Sequence, residues 1–291
     1  MKCAICAIAK NEHRYINDWC CYYANLGFDD IYIYDNDDEN APFIGDFIED
    51  SVRDKVHIIN IRGQHYKQIQ IMKYKEFYKK QRKNYDWIFF PDIDEFLTGL
   101  TNIKDVLAQE NFNDIHSIRF KWRLIGDDNL IERDMSKPIY ECLFKCVEEL
   151  EFEKGYNNVE IFFHKNQGKF IIRGKLPFSV AINSEHYAGK GSKEKKLKAV
   201  LPSGKPCNSE IIIRESYKEE TVFLNHYMTK TLSEFIAQKM GRTDAIFEDR
   251  ILGLGYYWRI NKITTEKLDW LRNRGIMTQA EIDWAYGVAI E

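Results

Sequence analysis

Residues 86–97 read Asp-Trp-Ile-Phe-Phe-Pro-Asp-Ile-Asp-Glu-Phe-Leu, and this stretch decides the fold. Trp87 to Phe90 is an uninterrupted apolar run, the pattern of a strand buried on both faces. It ends in Asp92, Asp94 and Glu95. Buried charge is costly unless something compensates it. Carboxylates at the C-terminal end of a buried strand therefore point to a hard cation, Mn²⁺ or Mg²⁺. That edge is also where open α/β sheets bind ligands. The alternative is a strand followed by a solvated acidic turn.

The residues before this stretch alternate strand and helix. Cys3 to Ala9 reads as a first buried strand, and Asn11 can cap the helix that follows. Ile16, Trp19, Cys20, Tyr23 and Leu26 recur at helical spacing, and Gly27 fits the position after the helix end. Ile31 to Tyr34 and Val56 to Ile61 read as further strands, and about Gln68 to Arg82 as a helix. This rhythm predicts a mostly parallel sheet covered by helices. It sets two more polar clusters at strand ends, Lys10-Asn11-Glu12 and Asp35-Asn36-Asp37-Asp38. Their convergence with the Asp92 cluster favours a ligand site over an acidic turn.

The middle of the chain is β-rich, with strands expected over 115–124, 140–147, 159–164, 169–172 and 179–187. Residues 189–206 form a basic loop rich in Gly and Pro. It reads as a surface loop, with a lid or a peripheral contact to anionic lipid as the functional alternative. The C-terminal third is helical. Thr231-x-x-Glu234 and Thr278-x-x-Glu281 both match a capping box.

Composition sets outer bounds. The chain has 291 residues, enough for one elaborated domain with an extension. A net charge of −3 gives no electrostatic case for nucleic acid. No apolar run reaches the ~20 residues of a membrane span. The opening Met-Lys-Cys-Ala-Ile-Cys-Ala-Ile-Ala-Lys fits a strand better than a signal peptide. The seven cysteines are odd in number, and Cys3-x-x-Cys6 lies inside that strand, so core thiols in a cytoplasm are expected rather than a metal site.

The ordered pieces Lys10-Asn11-Glu12, Tyr34-Asp35-Asn36, Gln70…Tyr74, Trp87 to Phe96, Trp122…Gly126-Asp127, Glu185-His186-Tyr187 and His226-Tyr227-x-x-Lys230-Thr-x-x-Glu234-Phe resemble the family-2-like and family-92-like glycosyltransferases. The likeness runs from about residue 2 to 245. It implies a GT-A (nucleotide-diphospho-sugar transferase) fold over 1–245, with a nucleotide-sugar half at 1–100 and a β-rich acceptor and metal half at 101–245. Residues 246–291 would be a helical extension.

The resemblance also implies a UDP-sugar donor, with galactose as the guess, and a glycan or glycolipid acceptor in surface polysaccharide or lipooligosaccharide synthesis. It implies that Asp94 touches the metal, that Asp92 contacts ribose or a metal-bound water, and that His226 completes the metal shell or touches the diphosphate. Ala7, Ala9, Glu12, Asp35, Asn36 and Gln70 fall on the donor side. Lys169-Phe-Ile-Ile-Arg173-Gly-Lys-Leu-Pro177 matches the group's Lys-x-Ile-x-Arg-Pro motif only loosely, because its Pro is displaced.

The chemistry fits independently. A departing nucleoside diphosphate carries negative charge that a cation neutralises. Lys230, Arg173 and Arg242 are cationic candidates. An inverting transfer needs a general base, and Asp127, after a strand and a Gly, is the first choice over Asp128, Asp244 and Glu248. Trp122 and Tyr187 can stack on sugars, and His186 can line an acceptor site. Two rivals remain. A haloacid-dehalogenase-like phosphatase would use Asp92 and Asp94 as nucleophile and acid, though that motif closes the first strand of its domain. A non-catalytic sugar-binding module would explain the aromatics but not the carboxylates.

Overall fold

The computed structural model describes residues 1–146, 168–176, 197–207, 220–242, 252–258, 260–279 and 281. The chain divides into two compact units interleaved in sequence. One comprises Met1–Trp122 with Ile161–His226, the other Arg123–Glu160 with Tyr227–Glu291.

The first unit is built on a sheet. Its strands are β1 (Cys3–Ala9), β2 (Asp30–Asp35), β3 (Val56–Asn60), β4 (Trp87–Phe89), β5 (Glu95–Thr98), β6 (Ser117–Leu124), β7 (Gly168–Arg173), β8 (Ala199–Val200) and β9 (Phe223–His226). The order is β3-β2-β1-β4-β7-β6-β9-β5, with β8 beside β6. β3, β2, β1 and β4 run parallel. β7 is antiparallel to both β4 and β6, and β5 is antiparallel to β9. The parallel strands therefore end together on one edge, at Ala9, Asp35, Asn60 and the Phe90–Asp92 step.

Burial explains why these residues form strands. Every residue of β1 except Ile8 is buried, as expected for a strand covered on both faces. Cys3 and Cys6 are free, fully buried thiols, and burial pushes the Cys3 thiol up to about 12. Helix α1 (Ile16–Asn25) buries Ile16, Trp19, Cys20, Tyr23 and Ala24. It ends in a Schellman motif: Phe28 N–H donates to Tyr23 O and Gly27 N–H to Ala24 O, each at 3.3 Å, with Gly27 at φ +99°. Asn11 does not cap this helix. Its own N–H is committed to Asp37 Oδ1, which holds it at φ +58°, and the helix starts after Tyr15.

Short helices α2 (Asp50–Arg53) and α4 (Ile103–Leu107) flank the longer α3 (Ile69–Gln81). α3 buries Ile71, Tyr74, Phe77 and Tyr78. These pack with Ile88, Phe90, Phe170 and Ile172 into one cluster that fixes α3 to the sheet. Part of the expected basic loop is in fact strand. Residues 199–200 pair with β6, and Val200 bridges Pro206 across a turn. Residues 189–196 lie outside the described residues, as do the strands expected over 159–164 and 179–187.

Among the described residues of the second unit, the α-helices are α5 (Leu232–Gln238), α6 (Leu254–Tyr257) and α7 (Thr265–Asn273). Leu232, Phe235, Tyr257, Leu268 and Leu271 form its core. Thr231 and Glu234 make the expected capping box, and Thr278 and Glu281 make the same reciprocal bonds. The strand expected over 140–147 is absent from its described part. Residues 139–141 form a 3₁₀ turn, and only Cys146 bridges Ile125. Asp128 explains this: its carboxylate accepts the N–H groups of Phe144 and Lys145, both at 2.9 Å, and removes them from any ladder. Among the described residues, no helix is long and apolar enough to cross a membrane.

Candidate active site

The turn after β4 places the acidic cluster. Pro91 has no N–H, so the ladder with β7 stops and the chain turns into β5. The three carboxylates then separate. Asp94 is nearly buried, and its Oδ1 lies 3.4 Å from His226 Nε2. The pairing of β5 with β9 sets this approach, because Glu95 and His226 are register partners. His226 is buried against Trp122, with ring centroids 4.4 Å apart. Trp122 therefore packs on a site residue instead of offering a free face to a sugar.

Asp92 faces elsewhere. Its Oδ1 accepts from Gln70 Nε2 at 2.6 Å, and its Oδ2 lies 2.8 Å from Lys169 Nζ. Gln70 also donates to the Tyr74 hydroxyl at 3.0 Å. Glu95 is fully buried and folds back, its Oε2 accepting from the Asp92 N–H at 2.9 Å. Burial pushes the Glu95 carboxyl well above the ordinary carboxylate range, and the nearby Lys169 charge opposes that shift.

At the neighbouring strand ends, Ala9 is paired in register with Asp35, and both are buried. Burial raises the Asp35 carboxyl, and the Asp37 charge adds to the shift. Its nearest cation, Arg62, is 3.9 Å away. Asn36 spends its amide N–H groups on the carbonyls of Gln64 (2.6 Å) and Ile61 (3.5 Å). Ala7 is a buried β1 residue, and the main-chain carbonyl of Glu12 accepts from Tyr15 and Ile16 at the start of α1. Asp37 is a further buried acid, 3.1 Å from His13 Nε2.

The first unit thus brings together Gln70, Asp92, Asp94 and His226, with Ala9, Asp35 and Asn36 on the same sheet edge. Lys169 and Glu95 are partners that sequence reasoning did not assign. The signal for Lys169 was present as the first residue of the Lys-x-Ile-x-Arg piece. Arg173 is a structural cation: Nε donates to Ile115 O, Nη2 to Phe112 O, and the guanidinium lies 4.4 Å over the Trp87 ring.

Lys230, Asp127 and Asp128 belong to the second unit. Lys230 is buried, and its Nζ donates to Gln238 Oε1 at 2.9 Å. Asp127 is also buried. Its Oδ2 receives the Lys267 ammonium and the Tyr257 hydroxyl, and its Oδ1 receives the Asn129 N–H at 2.8 Å. A carboxylate with both oxygens committed inside the protein has the chemistry of a structural ion pair, not of a base waiting for an acceptor hydroxyl. Its rival Asp128 caps the 144–145 backbone. Asp244, Glu248, His186 and Tyr187 lie outside the described residues.

Whether a divalent cation fits can be judged from the donors. Among the described residues, no three His, Cys, Asp or Glu side chains form a metal cluster. Asp94 and His226 supply one carboxylate and one imidazole, donors suited to Mn²⁺. His226 Nδ1 is buried without a hydrogen-bond partner among the described residues. These two groups fit a cation that takes its other ligands from a bound diphosphate and water, as Mg²⁺ and Mn²⁺ sites on phosphate substrates do. They do not form a complete protein cage.

The chain is 25% identical over 131 residues to a glycosyltransferase family 92 protein from Ricinus communis. That match covers 43% of this chain and 23% of the relative. It supports a glycosyltransferase in general terms. No family model matches the chain.

Proposed function

We propose that this protein transfers a sugar from a nucleoside diphosphate-sugar, a UDP-sugar on the resemblance described above, to a glycan hydroxyl. The observation that carries this reading is the Asp94–His226 pair, 3.4 Å apart, beside the carboxyl edge of the parallel strands. On the same edge, Asp35 would accept from the nucleoside, and Ala9 between the β2 and β4 ends offers only a methyl group. Ala7 would shape the floor beneath the base. Gln70 and Lys169 hold Asp92, whose side chain stays 31% exposed and would offer its remaining lone pairs to the ribose. Asp94 and His226 would hold a divalent cation, which neutralises charge on the departing diphosphate.

Thermal shift with UDP-sugars, with and without Mn²⁺, tests the reading. A ligand at 100 times its Kd stabilises by about 2.7 kcal/mol. The expected result is a Mn²⁺-dependent shift with a UDP-sugar, UDP-galactose being tried first. Asp94→Asn should keep the wild-type Tm without ligand and lose both the shift and turnover. A wild-type protein whose Tm ignores every nucleotide-sugar, or an Asp94→Asn variant with full turnover, overturns the proposal.

A further inference from the structure

The strongest unassigned feature of the first unit is the buried ammonium of Lys169. Its side chain has no solvent exposure. β7 pairs with β4 so that Phe89 faces Ile171, and extending that register by two residues places Lys169 across from Pro91. The lysine therefore arises where the ladder ends, next to the acidic turn. Its Nζ reaches Asp92 Oδ2 at 2.8 Å and lies 6.0 Å from the Trp122 ring.

Other groups hold the rest of Asp92, whose side chain is 31% exposed. Gln70 of α3 takes Oδ1, and Glu95 of β5 takes the N–H. Trp19 of α1 donates its indole N–H to the carbonyls of Asp92 (3.0 Å) and Glu95 (3.2 Å). Four elements converge on one residue that does not face His226, while Asp94, two positions on, does. A buried cation is costly unless an acid compensates it, and here Asp92 is the acid in contact with it, with the buried Glu95 carboxyl near enough to feel its charge.

We propose that Lys169 is a positioning residue: by clamping Asp92 it fixes the Pro91–Glu95 turn and aims Asp94 at His226. Asp92 is then a structural anchor and not a cation ligand. The geometric part stands on the first unit alone, and only its catalytic consequence rests on the glycosyltransferase reading.

The test uses Lys169→Met, with Asp92→Asn/Lys169→Met as the variant that removes both charges if the single change prevents folding. The first readout needs no ligand: the ¹H–¹³C resonance of the His226 ring, with its displacement in Asp94→Asn as reference. Loss of the clamp should move that signal in the same direction. The second is Mn²⁺ affinity in the presence of UDP, which should fall by about 10–100-fold, the usual cost of losing a group that orients a ligand. Adding Lys169→Met to the Asp94→Asn variant should cause little further loss, since Lys169 acts through that position. A His226 signal that stays at its wild-type position in a folded variant overturns the proposal, as does an unchanged Mn²⁺ affinity. If the wild-type protein binds neither UDP nor Mn²⁺, the glycosyltransferase reading fails, and the His226 resonance still decides the role of Lys169.

Discussion

Lys267→Met is the perturbation whose outcome the structure constrains most tightly. Lys267 has no solvent exposure, and Asp127 is 3% exposed. Burial lowers the Lys267 pKa, and the Asp127 charge opposes that shift. The ammonium also donates to Lys262 O at 3.0 Å, while Asn261 accepts the Asp127 N–H at 2.8 Å and donates to Thr229 Oγ1 at 2.9 Å. The pair thus ties α7 to the Gly126–Asn129 turn. Removing one partner of a buried ion pair leaves the other charge uncompensated and costs about 3–5 kcal/mol. At roughly 2–4 °C per kcal/mol for a domain of this size, Tm should fall by about 6–20 °C. Asp127→Asn should cost a comparable amount. Asp127→Asn/Lys267→Met should recover most of the loss, because a neutral pair carries no stranded charge. Circular-dichroism melts of the four proteins close the cycle. Strict additivity of the two single changes, or a Lys267→Met protein that melts with the wild type, would falsify the ion-pair argument. An Asp127→Asn protein of normal Tm with no turnover would return Asp127 to the role of general base.

Three further outcomes are expected. Gly27→Ala must hold a Cβ at φ +99°, 2.5 Å from Asn102 Oδ1, the N-cap acceptor of α4. Left-handed strain of about 1–2 kcal/mol and disturbance of a cap worth about 1 kcal/mol should lower the urea midpoint, and an unchanged midpoint refutes the Schellman assignment. His116 accepts the Lys198 N–H on Nδ1, and burial, together with the Lys198 and Arg173 charges, lowers its pKa below the ordinary 6.5. Below 6.5 the unfolded chain takes up the proton more readily than the folded one, so stability should fall as pH drops through that value, and this component should vanish in His116→Gln. On the proposed donor site, Asp35→Ala should raise the donor KM with little change in kcat, as expected for lost uniform binding; an unchanged KM removes Asp35 from that site.

Much of the first unit was legible in the sequence. The apolar runs at 3–9, 31–34 and 87–90 and the helical spacing from Ile16 to Leu26 report burial directly, and burial sets local structure. The paired capping boxes at Thr231 and Thr278 were equally plain, because such bonds close within four residues. Tertiary structure decided what became of each charge. Asp92, Asp94 and Glu95 are near neighbours in sequence, yet one is clamped by Lys169, one faces His226, and one is folded inward. Asp127 looked like a base projecting from a strand end and is instead buried against Lys267, 140 residues away. A carboxylate's role depends on which cation or donor packs against it, and those partners arrive from distant strands and helices whose register no local pattern records.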